Sequence, residues 1–445
     1  MRITFLASGK SIMKKRSFFL GAGFLIWLSS VSLAQEEYKF DISEIEKKPY
    51  HIGGYVEFRP VIFWLDEDAA LYKLRFFNED EGNITEEYNG KLQIEGSYEK
   101  GIGRLFARVN GNLTYNYQGW SDSLDLYEGT LSLKPSNSLA IDLGKKVQKW
   151  GKGYAWNPVA FVDRPKDPEE PDLALEGFWM VSADYIKSFN GPLKTLSITP
   201  VILPVYEHIN DEFGKINEFN FAGKLYLLLY DTDIDLMFLT GGSRTTRFGL
   251  DFSRNITTNF EIHGEFAYIN NFKQRTIDQQ GNVSESKFDA KSYLLGIRYL
   301  TKTDTTFIFE YYHNGTGYTK DEIEDFFSFV NKSYETYLSS GNQAPLMKAQ
   351  DLAEGNYSRV NPMKDYLYLR VSQKDPFNIL YWTPAVTGIL NLNDGSFSFS
   401  PELTYTGITN LELRLKATAN VGQKESEYGE KPSDYRLELR VRYYF

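Results

Sequence analysis

The sequence of 445 residues contains no cysteine and only four histidines. Without cysteine, the chain has neither a disulfide framework nor a thiolate metal site, and it cannot carry haem through a C-x-x-C-H motif. The histidines are not spaced as paired metal ligands, and no glycine-rich phosphate loop is present. No serine lies in a recognisable nucleophile motif near His263, the histidine flanked by Glu261 and Glu265. The sequence therefore predicts a protein that is not an enzyme and that uses no metal and no cofactor.

Long hydrophobic runs and positive charge are also scarce. After residue 34 every apolar stretch is interrupted by charged or polar residues, and the mean hydropathy is −0.40. A helical membrane protein is excluded, because a spanning helix needs about 20 consecutive apolar residues. Residues 1–34 hold five of the 49 basic residues and no acidic residue, so residues 35–445 have 44 basic against 59 acidic residues, a net charge of −15. This balance argues against a nucleic-acid partner.

Residues 1–34 have the pattern of a cleaved secretory signal peptide. Lys14, Lys15 and Arg16 precede the apolar stretch SFFLGAGFLIWL, and a small-x-small site at residues 32–34 precedes Gln35. The apolar run is shorter than a spanning helix and is interrupted by glycine and serine. We therefore expect an exported protein in which residues 35–50 form a polar periplasmic leader.

Aromatic residues are abundant, at 16% of the sequence, which is typical of the aromatic girdles of membrane barrels. The chain ends on YRLELRVRYYF, where alternate residues are apolar and the residues between them are mostly charged. This period of two indicates a strand with different surroundings on its two faces. Similar alternation recurs at 92–99, 105–116 and 411–418, and a tilted strand needs about 9 to 11 residues to cross a membrane.

The connections between these segments alternate between short and long. Short turns such as Lys100-Gly101 and Asn190-Gly191 are separated by longer connections such as 151–174 and 315–363. This rhythm predicts an all-β fold over residues 51–445, a transmembrane antiparallel up-and-down β-barrel with short periplasmic turns and long extracellular loops. We expect about 18 strands around an aqueous lumen, and 16 is also open because 194–204 contains two prolines. The predicted strands are 51–65, 88–99, 103–117, 122–134, 138–150, 175–188, 194–204, 217–230, 233–241, 244–253, 257–269, 289–301, 304–314, 364–373, 379–392, 396–405, 409–418 and 433–445.

The connection 315–363 is too long to lack secondary structure. Thr319 and Glu322 have the spacing of a helix capping box, and apolar residues after them recur on one helical face. The sequence predicts a helix within 318–345. Two roles are open for it: a cap on the barrel rim, or a segment that grips a ligand or plugs the pore.

The segment GKKVQKWGKGYAWNPVAFVDRPKDPEEPD, residues 144–172, has the most individual composition in the chain. If the fifth strand continues to residue 150, parity directs alternate side chains from Lys146 into the lumen. The loop that follows is stiffened by proline and is acidic, so it predicts a pore constriction with a transverse field between the acidic loop 157–172 and basic lumen residues. The predicted constriction residues are Lys146, Gln148, Trp150, Lys152, Arg108, Asp163, Arg164 and Asp167. The alternative is that Gly151, Gly153 and Asn157-Pro158 only shape a turn from strand to loop.

Two stretches resemble known families. The pattern W-G-x-G-x-x-x-N-P at residues 150–158 is similar to that of porin-like families related to alginate-export and similar substrate-channel barrels, which implies a channel. The C-terminal strand resembles that of the bacterial outer-membrane barrel class, in which a terminal aromatic closes the barrel and is read by the barrel-assembly machinery. The matching residues are Leu437, Leu439, Val441, Tyr443 and Phe445.

These resemblances imply a protein of the Gram-negative outer membrane. We expect a porin-like channel for passive diffusion of small hydrophilic or charged solutes, in contact with outer-membrane lipid and lipopolysaccharide and present as a monomer or a homo-oligomer. The alternative is a barrel that serves as a sleeve for a periplasmic or surface partner such as a multihaem cytochrome.

Overall fold

The computed structural model describes residues 48–79 and 81–445. The predicted signal peptide, 1–34, and residues 35–47 of the predicted leader lie outside the described residues. Eighteen strands form one antiparallel sheet in which each strand pairs with its neighbours in the chain, and β1 also pairs with β18. The sheet is therefore a closed up-and-down barrel, and the expected 18 strands are confirmed. The strands are β1 Tyr50–Leu65, β2 Ile84–Lys100, β3 Gly103–Asn116, β4 Gly119–Ser136, β5 Leu139–Lys146, β6 Phe178–Ser188, β7 Leu193–Val205, β8 Glu218–Leu229, β9 Thr232–Gly241, β10 Arg247–Thr257, β11 Phe260–Ile277, β12 Val283–Leu300, β13 Thr305–His313, β14 Asp365–Gln373, β15 Trp382–Asn391, β16 Phe397–Ile408, β17 Leu411–Val421 and β18 Ser433–Tyr444.

The outer face of the barrel is apolar and the inner face is polar. On β10, Phe248 and Leu250 are exposed on the outside, whereas Asp251 is buried on the inside. Exposed leucine, isoleucine, valine and aromatic side chains recur on strands all around the barrel. An exposed apolar surface of this extent is not stable in water and is typical of a protein surrounded by lipid.

The last residue closes the barrel. The Phe445 amide N–H donates to the Gly54 carbonyl at 3.0 Å, and the Gly54 N–H donates to the Phe445 carbonyl at 3.1 Å. Leu437 lies opposite Ile62, and Tyr443 lies opposite Val56. A sheet edge in lipid has no hydrogen-bond partner, so the pairing of the C-terminal strand with β1 removes the only two edges of the sheet.

Many strand boundaries differ from the predicted ones by a few residues, and the differences at β5 and at the hairpin of β11 and β12 matter most. β5 ends at Lys146, so its predicted extension to residue 150 is wrong and residues 147–150 belong to the following loop. The hairpin of β11 and β12 continues to Ile277 and Val283, although the sequence predicted a connection over 270–288. This outer part of the hairpin follows an irregularity between Ile269 and Phe272. Because it lies beyond the apolar belt, its sequence does not show regular apolar alternation.

Three helices cover part of the barrel at the end opposite the short turns. They are α1 Ala70–Phe76, α2 Lys320–Ser340 and α3 Ala344–Leu352. α2 lies within the predicted range 318–345 and begins with the predicted capping box, in which the Thr319 side chain accepts from the Glu322 N–H. We call residues 314–364, which contain α2 and α3, the cap segment. Its apolar core includes Ile323, Phe326, Leu346, Tyr357 and Met363. Across the described ranges, no helix combines the length and the apolar character required to cross a membrane.

Candidate functional site

Residues 147–177, between β5 and β6, fold into the barrel, and we call them the inner loop. Two buried carboxylates on the opposite wall hold its first half through the main chain. Glu265 on β11 accepts from the N–H groups of Lys152 and Gly153, both at 2.6 Å, and from that of Val159 at 3.3 Å. A buried carboxyl group needs hydrogen-bond partners, and the main chain of the inner loop supplies three of them. The loop path is therefore fixed by strand side chains that bind its backbone.

Glu310 on β13 extends this anchoring. It accepts from the N–H groups of Tyr154 and Ala155, the latter at 2.9 Å. Its side chain is fully buried and also contacts His263, whose Nε2 lies 2.9 Å from Oε1. The four consecutive main-chain N–H groups of residues 152–155, and that of Val159, are thus paired with the side chains of Glu265 and Glu310.

The glycines of the W-G-x-G pattern permit this close approach. A Cβ on Gly151 would lie 2.7 Å from the Glu265 carboxylate, and Gly151 has a φ of 100°. A Cβ on Gly153 would lie 2.2 Å from the Trp156 carbonyl oxygen. Both distances are too short for any side chain. The two glycines do more than shape a turn, because they let the backbone wrap around the Glu265 carboxylate.

Asp163 closes the base of the inner loop. Its carboxylate accepts from the N–H groups of Gln148 at 2.6 Å and Trp150 at 2.9 Å. Burial raises the pKa of the Asp163 carboxyl, and these main-chain donors oppose that rise. Trp150 is buried against the same region of the barrel wall. These contacts bring three of the predicted constriction residues, Gln148, Trp150 and Asp163, together.

The second half of the inner loop binds the wall formed by β17 and β18. Arg414 donates to both carboxylate oxygens of Glu170, at 2.6 and 2.8 Å. Arg436 donates to Glu169 at 2.7 Å, and Lys416 donates to the Glu169 carbonyl at 2.8 Å. Burial raises the pKa of Glu170, but the hydrogen bonds and charges of Arg414 and Lys416 outweigh burial and lower it to about 2. The loop tip is therefore held in place as an anion.

Three cavities follow the inner loop through the barrel. The first, about 620 Å³, lies at the cap end, and we call it the vestibule. A central cavity of about 380 Å³ shares Asn157, Asp163 and Lys166 with the vestibule. An inner cavity of about 350 Å³ shares residues 171–174 with the central cavity, and its lining includes Arg442, near the end with the short turns. Adjacent cavities have common lining residues, so the three lie in series along the inner loop.

The structure does not gather the predicted basic residues into one ring. Arg108 binds Glu95 and Glu128, at 3.0 and 2.8 Å. Lys152 binds Asp235 on β9 at 3.0 Å, and Lys146 binds Asp142 on its own strand. Each cation thus has a carboxylate partner on a different part of the wall, and of the three only Arg108 lines one of the three cavities.

The remaining predicted residues lie at the vestibule. Asp163, Arg164 and Asp167 line it. Arg164 lies between Glu176, at 3.1 Å, and Glu212. Burial raises the pKa of Asp167, although the Glu169 N–H donates to its carboxylate.

Several residues that build the site were not in the predicted set. The acidic loop does face a basic wall, but the wall is formed by Arg414, Lys416 and Arg436 on β17 and β18. Their inward orientation follows from strand parity, whereas their contact with the inner loop joins residues about 244 to 267 positions apart. Glu265 and Glu310 gave no sequence signal for their role, because a carboxylate that binds main-chain N–H groups leaves no pattern in the loop's side chains.

His263 is not open to a substrate. Its side chain is 3% exposed and lies between Glu310 and Glu261, with its Nδ1 3.4 Å from Glu261. Its contacts fix it within the wall that anchors the inner loop. The imidazole therefore has a structural role: it contacts Glu310, which holds the inner loop.

Solved structures with a similar fold are barrels of bacterial outer-membrane proteins. Acinetobacter baumannii OccAB4 has a TM-score of 0.53 at 11% identity, over 90% of this chain and 99% of that one. Pseudomonas aeruginosa OccK2 (OpdF) has a TM-score of 0.50 at 12% identity, over 89% and 97% of the two chains. The outer membrane protein OprD from Pseudomonas aeruginosa has a TM-score of 0.49 at 9% identity, over 88% and 94%. No protein-family model and no curated protein matches the sequence. The comparisons show the fold alone, and they confirm the closed antiparallel β-barrel predicted from the sequence.

Proposed function

We propose that the protein is a channel of the bacterial outer membrane through which small hydrophilic or charged solutes diffuse passively. The series of three adjacent cavities carries this proposal. The route begins at the cap end, follows residues 157–174 of the inner loop and ends near the short turns. The apolar outer belt supports a position in lipid, with the cap segment outside the cell and the short turns in the periplasm.

The smallest of the three cavities, the inner cavity, lies beside the contact between the inner loop and the wall of β17 and β18. Glu169 and Glu170 are on the loop side, and Arg414, Lys416 and Arg440 are on the wall side. Opposed charges across a narrow polar passage orient dipolar solutes. The arginines that line the inner cavity also bind carboxylates, since Arg370 pairs with Glu402 and Arg440 pairs with Glu412. This pairing supports weak ion selectivity at the level of the inner cavity.

The inner loop and the enclosure of His263 argue against a sleeve for a partner protein and against catalysis. A barrel that serves as a sleeve for a partner needs an empty lumen, whereas here the chain's own loop crosses from β5 to β17 and β18. Catalysis at His263 requires access, and its ring is enclosed by Glu261, Glu310 and the barrel wall. Passive transport agrees with both observations.

Conductance in planar lipid bilayers tests the proposal. The full-length mature chain, refolded in detergent and verified as a barrel by its heat-dependent shift on gels, should produce stepwise current increases on insertion. Liposomes that contain it should swell in isotonic glucose. A correctly folded barrel that gives neither current steps nor swelling would refute the proposed channel.

We also propose that Leu437, Leu439, Val441, Tyr443 and Phe445 are read by the barrel-assembly machinery during insertion. Support comes from the outward exposure of Leu437, Leu439, Tyr443 and Phe445 on the strand that completes the barrel. A peptide with this sequence should compete with barrel insertion in an assembly assay, and a peptide with Phe445 replaced by serine should not.

A further inference from the structure

The vestibule contains more positive than negative charge. Its lining includes five basic side chains, Arg164, Lys166, Arg244, Arg247 and Arg359, and three acidic ones, Asp163, Asp167 and Glu212. Five against three leaves an excess of two positive charges. The inner cavity has the opposite balance, with four arginines against five carboxylates.

The vestibule cations also differ from those of the inner cavity in their partners. Within residues 48–79 and 81–445, Arg244, Arg247 and Arg359 have no carboxylate oxygen within 4.0 Å. In contrast, Arg370, Arg414, Arg440 and Arg442 in the inner cavity each have a carboxylate partner at 2.5 to 2.8 Å. The excess charge of the vestibule is therefore carried by guanidinium groups that no described acidic side chain neutralises.

Two of these groups are also incompletely hydrogen-bonded. The Nε atoms of Arg247 and Arg359 are buried and have no hydrogen-bond partner among the described residues. A buried donor without a partner is costly, and so is a buried charge without a counter-charge. A buried group of this kind calls for an explanation, and a bound anion that supplies the missing partner is one.

Arg244 is held rigidly beside them. It donates to the carbonyl oxygens of Phe213 and Phe161, the latter at 3.4 Å, and its guanidinium lies 3.7 Å from the centre of the Phe213 ring. Burial, together with the charges of Arg247 and Arg164 nearby, lowers the pKa of Arg244 to about 9. Like charges are thus fixed close together, at the junction of the loop before β10, the barrel rim and the cap segment.

We infer that the vestibule is a binding site for a small solute that carries two negative charges on oxyanion groups, either a phosphate monoester or a dicarboxylate. The planar guanidinium group matches the geometry of both oxyanions and can donate two parallel hydrogen bonds to either. Two negative charges neutralise the excess of two positive charges, and a cavity of about 620 Å³ accommodates a sugar-sized solute. This inference rests on the proposed channel, because it names the class of solute that the channel collects at its outer mouth.

Calorimetric titration of the full mature chain in detergent tests the inference with four solutes of similar six-carbon skeleton. Glucose is neutral, gluconate carries one negative charge, and glucarate and glucose 6-phosphate each carry two. The two dianions should bind at least about tenfold more tightly than gluconate, which corresponds to about one further hydrogen bond between charged groups. Tighter binding of glucose 6-phosphate or of glucarate identifies the phosphate or the dicarboxylate as the preferred group.

The substitution Arg247→Gln is the sharpest variant. The Arg247 side chain makes no hydrogen bond or ion pair with another described residue, so its replacement should leave the barrel intact. It should weaken binding of both dianions about tenfold and leave the gluconate affinity much closer to that of the wild type. Arg254→Gln is the matched control, because Arg254 lies on the same strand, exposed, about 23 Å from Arg247 at 3.3 Å per residue. This control should bind like the wild type.

Two results would overturn the inference: gluconate binding as tightly as the dianions, or an Arg247→Gln variant with unchanged dianion affinity. Conductance separates the inference from the proposed function. Dianion binding to a folded barrel that conducts no current would refute the channel and retain the binding site, whereas current without dianion preference would refute the binding site alone.

Discussion

Neutralising Glu170 should release the tip of the inner loop from the barrel wall. The carboxylate receives two hydrogen bonds from Arg414, and Lys416 lies at 3.2 Å. Its pKa is lowered from 4.5 to about 2, and the difference corresponds to roughly 3 kcal/mol at 1.36 kcal/mol for each pKa unit. The substitution Glu170→Gln keeps the shape of the side chain and removes this contribution. The ratio of docked to undocked loop tip should therefore fall roughly 300-fold.

Single-channel recording in a planar bilayer measures this change directly. The wild-type channel should hold a steady current, while the Glu170→Gln channel should show frequent excursions to higher conductance as the loop tip leaves the wall. Arg414 remains paired with Glu438 at 2.6 Å, so the wall itself should persist. Glu335→Gln, on the exposed side of α2, is the control and should give the wild-type trace.

The same experiment has a pH dependence with a defined sign. Because the pKa of Glu170 is lowered in the folded protein, its contribution is complete above pH 4.5 and is lost as the pH falls towards 2. The wild-type trace should therefore approach that of Glu170→Gln over this range, and the variant should change less. If the variant has the same mean conductance and the same current noise as the wild type at neutral pH, the docked loop tip does not limit the pore and the reasoning is wrong.

Three further predictions concern other parts of the molecule. Gly153→Ala should destabilise the inner loop by a few kcal/mol, because a Cβ there meets the Trp156 carbonyl oxygen at 2.2 Å. The temperature of the heat-dependent gel shift should therefore fall. Gly191 has open space around it, so Gly191→Ala should behave as wild type. Deletion of Phe445 removes both hydrogen bonds to Gly54 and should sharply reduce the yield of membrane-inserted barrel. Phe445→Tyr keeps these hydrogen bonds and should insert with the wild-type yield. Full insertion of the truncated chain would contradict the closure role. Burial raises the pKa of Glu427, in the loop before β18, to about 7. The stability of that loop should therefore fall as the pH rises from 4.5 to 7. Hydrogen-exchange protection of residues 422–432 should decrease over this range in the wild type and stay level in Glu427→Gln.

The barrel was predictable because lipid imposes a local rule on every strand. Outward residues such as Leu439 and Phe248 must be apolar, inward ones such as Arg440 are free to be polar, and the period of two records this at each strand separately. The rule applies only to the part of each strand that lies in the lipid. For this reason the sequence showed the terminal pairing of Phe445 and missed the outer extension of β11 and β12.

The candidate site was predictable only in part. The glycines, prolines and acidic residues of 144–172 marked the inner loop as unusual, and the loop does lie in the lumen. Its partners could not be identified, because Glu265 and Glu310 act on main-chain N–H groups that every residue possesses, and because the contact of Glu170 with Arg414 depends on how the loop crosses the barrel. Lys152 illustrates the limit, since it was expected in the constriction and instead binds Asp235 at 3.0 Å on another wall.

The manner in which Glu265 and Glu310 grip the inner loop has a practical consequence for protein engineering. The carboxylates bind the backbone of residues 152–155 and 159. The path of this part of the loop therefore depends on its main chain and its glycines more than on its other side chains. Apolar positions that line the cavities, such as Leu173 and Leu175, can therefore be exchanged as a library while the frame stays constant. A channel whose cavity lining can be changed without changing the anchoring of its inner loop is a suitable starting point for sensors with altered solute preference.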